Sequence, residues 1–188
     1  MSSPRRSVLA MALLSMLTEE PAHAYRLQQL IKERHKDEVV NVAQRNSVYQ
    51  TIERLLRDGL IEVQSTGRNE NRPERTVYQI TTVGRDTLHE WLRTMLSTPA
   101  REFPEFPAAL AFLPTLTQAD ALAALSTRVG LLETQLSTLD VEMKEAATFL
   151  PRLFLVESEY QREVLDAELK YVRSLVADLK SGRLSWDH

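Results

Sequence analysis

The sequence predicts a mainly α-helical protein: an N-terminal winged helix-turn-helix of three helices and a two-stranded wing, followed by a long-helix dimerisation region. Three observations carry this reading. Glycine is scarce, with five residues in 188, which favours helices over glycine-dependent turns. The first hundred residues alternate in period as helix, helix, helix, hairpin, helix. The last seventy carry leucine-rich seams at heptad spacing.

The first helix is expected to open at Ser3-Pro4, with Ser as N-cap and Pro in the first turn. Leu9, Leu13, Met16 and Leu17 then fall on one face. Arg5-Arg6, the apolar run from Val8 to Leu17 and Ala22-His23-Ala24 copy the outline of a signal peptide. The run is too short to span a membrane, and the helical spacing favours a core helix. A second helix is expected from about Ala22 to Arg34, with Leu27, Leu30 and Ile31 inward. The third runs from about Gln44 to Asp58, where Val48, Ile52, Leu55 and Leu56 form a narrow apolar stripe and Gly59 supplies the stop.

The opposite face of this third helix carries the chemistry. Asn46, Gln50, Glu53 and Arg57 point away from the stripe, with Ser47 and Arg54 at its flank. Such side chains can bond to base edges in a major groove or to phosphates. Taken alone, the face also fits a solvated helix surface. The next thirty residues favour the first reading. Leu60 to Gln64 and Thr76 to Ile80 alternate as strands, joined by a polar loop that holds Arg68, Arg72 and Arg75. A long hairpin after a third helix is the wing of a winged helix, and its arginines suit the backbone or the minor groove. A fourth helix is expected from about Val83 to Ser97, with Leu88, Trp91, Leu92, Met95 and Leu96 on its apolar face.

These segments together resemble the PadR family of transcriptional regulators. The resemblance rests on Leu13 to Leu17 with Pro21-Ala22-His23-Ala24-Tyr25-Arg26-Leu27, and on Asn46-Ser47-Val48-Tyr49 with Arg54-Leu55 and Gly59-Leu60-Ile61. It continues through Arg75 to Thr81, Gly84, Leu88 and Trp91-Leu92. It covers about half the chain, through Leu96. Ala24 stands where the family usually has Gly, and Asn46-Ser47-Val48 stands where it usually has Gly-Thr-Leu, near the start of the recognition helix. The resemblance implies that Tyr49 supports or flanks the DNA contact; its angle on the helix fits a partly packed tyrosine equally well. It also implies dimerisation through C-terminal helices and repression relieved by a small, often aromatic, molecule.

Residues 98–116 read as a linker broken by Pro99, Pro104, Pro107 and Pro114. Trp91, Phe103 and Phe106 are candidate ligand contacts at the domain junction, although core packing of Trp91 and hydrophobic anchoring of the linker are the simpler account. Thr117 to Asp120 then opens a long helix. Leu122, Leu125, Val129, Leu132, Leu136, Leu139, Met143 and Ala146 come next, at alternating spacings of three and four. After Pro151, Leu165, Leu169, Val172, Val176 and Leu179 repeat the pattern, and Gly182 ends it. These seams are the candidate dimerisation surface, through Leu122, Leu125, Val129, Leu132, Leu136, Leu165, Leu169, Val172 and Val176; they can pair within one chain or across two. The expected domains are therefore 1–97, DNA-binding, and 117–188, helical dimerisation.

Composition bounds the alternatives. The absence of cysteine excludes disulfides, thiolate metal sites and cysteine nucleophiles. The four histidines lie without metal-ligand spacing, and no P-loop, dinucleotide fingerprint or nucleophile elbow occurs, so neither an enzyme, a cofactor nor a metal is expected. The net charge is −3, yet residues 1–98 hold 14 Lys+Arg against 12 Asp+Glu, leaving 9 against 14 for the rest. A basic surface therefore has to come from placement, not from total charge. The expected function is a cytoplasmic, homodimeric, ligand-responsive DNA-binding repressor. Its partners would be a two-fold double-stranded operator and a small effector, with no membrane. Arg45, Asn46, Ser47, Tyr49, Gln50, Arg54, Arg68, Arg72 and Arg75 are the expected DNA contacts. The alternative is a winged-helix module that binds protein and not DNA.

Overall fold

A computed structural model describes residues 6–34, 36, 45–67 and 75–186. The chain divides into two compact units, Met1–Arg101 and Glu102–His188.

The first unit contains α1 (Val8–Glu19), β1 (Ala22–His23), α2 (Ala24–Glu33), α3 (Arg45–Arg57), β2 (Ile61–Gly67), β3 (Arg75–Ile80) and α4 (Thr82–Ser97). α1 is a core helix, with Ala10, Leu13, Leu14, Met16 and Leu17 buried. Its first residue differs from the sequence expectation. Ser7 is the N-cap, its hydroxyl accepting from the Ala10 amide at 3.1 Å, and Ser3-Pro4 lie outside the described residues. Leu27, Leu30 and Ile31 of α2 and Val48, Ile52 and Leu55 of α3 join α1 in one core. Leu88 and Trp91 of α4 close it, whereas Leu96, expected on that face, is exposed in the last turn.

The sheet has three strands, one more than expected, in the order β1-β3-β2 and antiparallel throughout. Ala22 pairs with Tyr78 and His23 with Val77, so two residues assigned by pattern to the start of α2 are a strand. Two residues are too short to show a period, and their ladder bonds come from a segment over fifty positions away. The rest of the motif then caps the helix. His23 Nδ1 accepts from the Arg26 amide at 3.0 Å, which places the imidazole proton on Nε2.

The junction of α3, the wing and α4 is tightly specified. Gly59 takes a φ of 69°, and its amide donates to the Leu56 carbonyl at 3.0 Å while the Leu60 amide donates to Leu55 at 2.9 Å. This is a Schellman stop, sealed by burial of Leu55 and Leu60 together. The Leu60 carbonyl then accepts the Thr81 amide at 3.1 Å, while the Thr81 hydroxyl is shared between the Gly59 carbonyl at 2.8 Å and the Leu60 carbonyl at 3.1 Å. The same hydroxyl oxygen accepts from the Gly84 amide at 3.0 Å, capping α4. Gly84 leaves no room for a side chain: a Cβ there would overlap the Leu60 carbonyl oxygen and lie 2.8 Å from Ile80 Cγ1.

The second unit holds α5 (Glu105–Ala111), a 3-10 turn (Leu113–Thr115), α6 (Gln118–Ala146), a second 3-10 turn (Arg152–Phe154) and α7 (Val156–Ser181). The stretch read as a broken linker thus contains a short helix and a turn. Phe106 and Leu113 anchor it on the core of this unit. α6 and α7 form an antiparallel hairpin. Its cross-helix pairs run in opposite directions, from Gln118 with the Trp186 carbonyl through Arg128–Glu168 to Asp140–Arg162. Trp186 Nε1 donates to the Leu116 carbonyl at 2.9 Å, clasping the chain end to the start of α6. Gly182, at φ 73°, ends α7.

The packing of the first unit sets two stability effects. Gly84→Ala should cost about 2–4 kcal/mol despite the better helix propensity of Ala, because backbone and not a flexible side chain fills the space. Urea unfolding of the full chain measures it. The second concerns Arg34, whose guanidinium forks onto Glu19 at 2.6 and 2.7 Å and joins α2 to α1. Its hydrogen bonds hold the Glu19 carboxyl below the usual carboxylate range. The pair's contribution is therefore complete above about pH 4.3, the ordinary Glu value, and is lost as pH falls through the lower folded value. Glu19→Gln should slightly lower the urea midpoint at neutral pH, since both groups are exposed, and leave it unchanged at about pH 2.

Candidate nucleic-acid interface

α3 is built to be buried on one side and read on the other. Val48, Ile52 and Leu55 have almost no exposure, and Thr51 is buried with its hydroxyl donating to the Ser47 carbonyl at 2.7 Å. Tyr49, Gln50, Glu53 and Arg57 are exposed, and Ser47 is half-buried. Tyr49, whose angle left two readings open, thus projects about half its surface to solvent. Arg45 and Asn46 begin the helix, and their side chains lie outside the described residues.

Arg54 has a partner that the sequence did not reveal. Its Nη2 donates to the Ser7 hydroxyl at 2.9 Å across 47 positions. Ser7 therefore serves two elements: it caps α1 and holds an arginine of α3. Arg57 remains largely exposed, with Asp58 at 3.8 Å.

The wing leaves α3 through the Gly59 stop. β2 and β3 pair from Ile61 with Ile80 out to Gly67 with Arg75, with a bulge between Val63 and Ser65 that bends the hairpin. Gln79 donates to Glu62 at 2.6 Å across the exposed face of that ladder. Arg68 and Arg72 lie outside the described residues. Arg75 is placed by its backbone, as the first residue of β3. The structure thus gathers Ser47, Tyr49, Gln50 and Arg54 on α3 and seats Arg75 in the wing. At the start of α2, Tyr25 is exposed, its ring stacked on His23 with centroids 6.3 Å apart.

The candidate ligand contacts have different surroundings. Trp91 is buried in the core of the first unit. Phe106 packs on the second unit's core, with the Arg128 guanidinium carbon 3.8 Å from its ring centroid. Phe103 is exposed. No helix of the described residues is long and apolar enough to cross a membrane.

Residues 13–90 match the transcriptional regulator PadR-like family. Among solved structures the chain is similar to Bacillus subtilis PadR in complex with operator DNA, at 21% identity and a TM-score of 0.71, covering 92% of this chain and 99% of that one. It is similar to the same protein in complex with p-coumaric acid at 19% identity and a TM-score of 0.74, covering 93% and 99%. The Vibrio cholerae virulence activator AphA matches at 19% identity and a TM-score of 0.66, covering 92% and 98%. At these identities the structural likenesses establish the fold. No curated protein matches the chain by sequence.

The Ser7–Arg54 link is testable. Ser7→Ala should cost about 1 kcal/mol, the usual value of a lost N-cap, and Arg54→Ala should then add less than it does alone. A double-mutant cycle on urea midpoints reads both, and full additivity would show that the bond carries no coupling.

Proposed function

We propose, from the premise that residues 13–90 are a PadR-like transcriptional-regulator domain, that this chain is a sequence-specific DNA-binding repressor acting as a homodimer in the cytoplasm. One observation carries the reading. α3 buries one face completely, exposes a face of hydrogen-bonding side chains and runs straight into a wing. Asn46, Ser47 and Gln50 contact base edges in the major groove, and Tyr49 flanks them. Arg45, Arg68, Arg72 and Arg75 contact phosphates or the minor groove. Arg54 has a double role, holding Ser7 and presenting its remaining N–H groups to a phosphate.

The family is one of regulators and not of enzymes, and we assign this chain no catalytic step. Two-fold pairing of chains presents two α3 helices to a two-fold operator. A fold relative complexed with p-coumaric acid supports an aromatic acid as effector, with Phe103 and Phe106 as its contacts. Trp91, buried in the first unit's core, takes a packing role instead. An effector that binds the DNA-free form preferentially would release the operator by shifting that equilibrium.

The test is fluorescence anisotropy on the DNA upstream of the protein's own coding sequence, with a salt titration. The wild type should bind tightly as two chains per site. Arg72→Glu/Arg75→Glu should weaken binding on the order of 100-fold and flatten the salt slope by about 2, the counterions of two phosphates. Weak binding to that DNA and to a genome-wide selection alike, insensitive to the substitutions, would favour the protein-binding winged helix instead.

A further inference from the structure

Arg54 is held differently from the arginines that brace the two units. Arg26, Arg34, Arg128 and Arg173 each sit on a carboxylate, of Glu33, Glu19, Glu168 and Glu133 in turn. Each of those charges is compensated within the chain. Arg54 is bonded instead to a neutral oxygen, the Ser7 hydroxyl, at 2.9 Å, and to no carboxylate among the described residues. Asp58, one turn further along α3, lies beside Arg57 at 3.8 Å.

The anchor itself is fixed. The Ser7 hydroxyl also accepts from the Ala10 amide at 3.1 Å, and the Ser7 carbonyl accepts from the Met11 amide at 3.0 Å. Both acceptor directions of the hydroxyl oxygen are therefore filled, one by each helix. α1 is locked in turn by Leu13, Leu14 and Leu17, which share one core with Val48, Ile52 and Leu55 of α3. Arg54 thus extends from one packed helix to a set point on another. Its remaining N–H groups and its full positive charge are left for an outside anion.

The residue type at position 7 matters for the same reason. Ser, Asp and Asn are about equally good N-caps, and Asp adds the attraction of the helix dipole. For α1 alone a carboxylate would serve at least as well. Beside Arg54 it would cancel the guanidinium charge that a phosphate has to meet. A hydroxyl caps the helix and orients the arginine while leaving that charge uncancelled.

We infer that Ser7 is a positioning residue for DNA binding: a neutral cap on α1 that holds Arg54 of α3 ready for a backbone phosphate with its charge uncompensated. The inference rests on the DNA-binding reading above and extends the interface to a helix outside α3 and the wing. Ser7 acts through Arg54 and reads no base. Its contribution is preorganisation, because an arginine already held needs less ordering when it meets the phosphate.

The experiment compares Ser7→Asp with Ser7→Asn in the full chain, two substitutions alike in shape and capping and different in charge. Urea unfolding reads the fold. Fluorescence anisotropy with a salt titration reads binding to the sequence that the wild type selects from a random DNA pool. Ser7→Asp should keep or raise the urea midpoint, yet weaken DNA binding at least about 10-fold and flatten the salt slope by about 1 per chain. Ser7→Asn should stay within about threefold of the wild type at an unchanged slope, since cap and charge are both kept. A residue that only stabilised the fold would move stability and affinity together. Ser7→Gly, which costs a cap little, should weaken binding about 2- to 10-fold in the wild type and not in an Arg54→Ala background. Three results overturn the inference while tight, salt-sensitive binding by the wild type upholds the DNA reading: Ser7→Asp binding as the wild type does, Ser7→Asp and Ser7→Asn weakening it equally, or a Ser7→Gly loss that persists without Arg54. A wild type that selects no sequence and binds all DNA weakly overturns both.

Discussion

The Leu60 carbonyl is the point on which the first unit turns. It lies just past the glycine that stops α3, and it accepts the amide of Thr81, which opens α4 and whose hydroxyl it shares with the Gly59 carbonyl. The end of the exposed-face helix and the root of the wing therefore share one peptide with the start of the helix that closes the core, 21 positions on. The close approach of Gly84 is what allows it. A side chain there would push α4 away from Leu60 and shift the wing root against α3. The relative aim of helix and wing, which a winged helix needs in order to engage groove and backbone at once, is set here.

A second constraint governs the hairpin. Each long helix buries one stripe within its own chain. Leucine, valine and alanine occupy it. Ion pairs between the two helices, Arg128 with Glu168, Glu133 with Arg173 and Asp140 with Arg162, flank it.

Most of the fold was legible in the sequence because its signals are local and periodic. The stripe of α3, the glycine stops at Gly59 and Gly182 and the cap at Thr117 each act within one or two turns. What was missed depends on partners far along the chain. β1 is a strand because β3 lies beside it, and α1 starts at Ser7, which Arg54 of α3 also holds. The fold of residues 105–115 comes from packing of Phe106 and Leu113, not from local propensity, in a stretch rich in proline. The candidate site was legible to the same degree. Alternation of buried and exposed positions gave the face of α3, but the anchoring of Arg54 and the burial of Trp91 were set by tertiary contacts. The seam of the last two helices was evident, and which surface it would meet was not.

The central claim is that the exposed face of α3 reads DNA from both halves of a two-fold site. Selection of binding sequences from a random DNA pool, by the wild type and by Gln50→Ala, tests it most directly. The account predicts a palindromic consensus for the wild type. With Gln50→Ala, preference should relax at one position in each half-site and persist elsewhere, by about 1–3 kcal/mol of lost discrimination. A consensus without two-fold symmetry, or one that Gln50→Ala leaves untouched at every position, would contradict it.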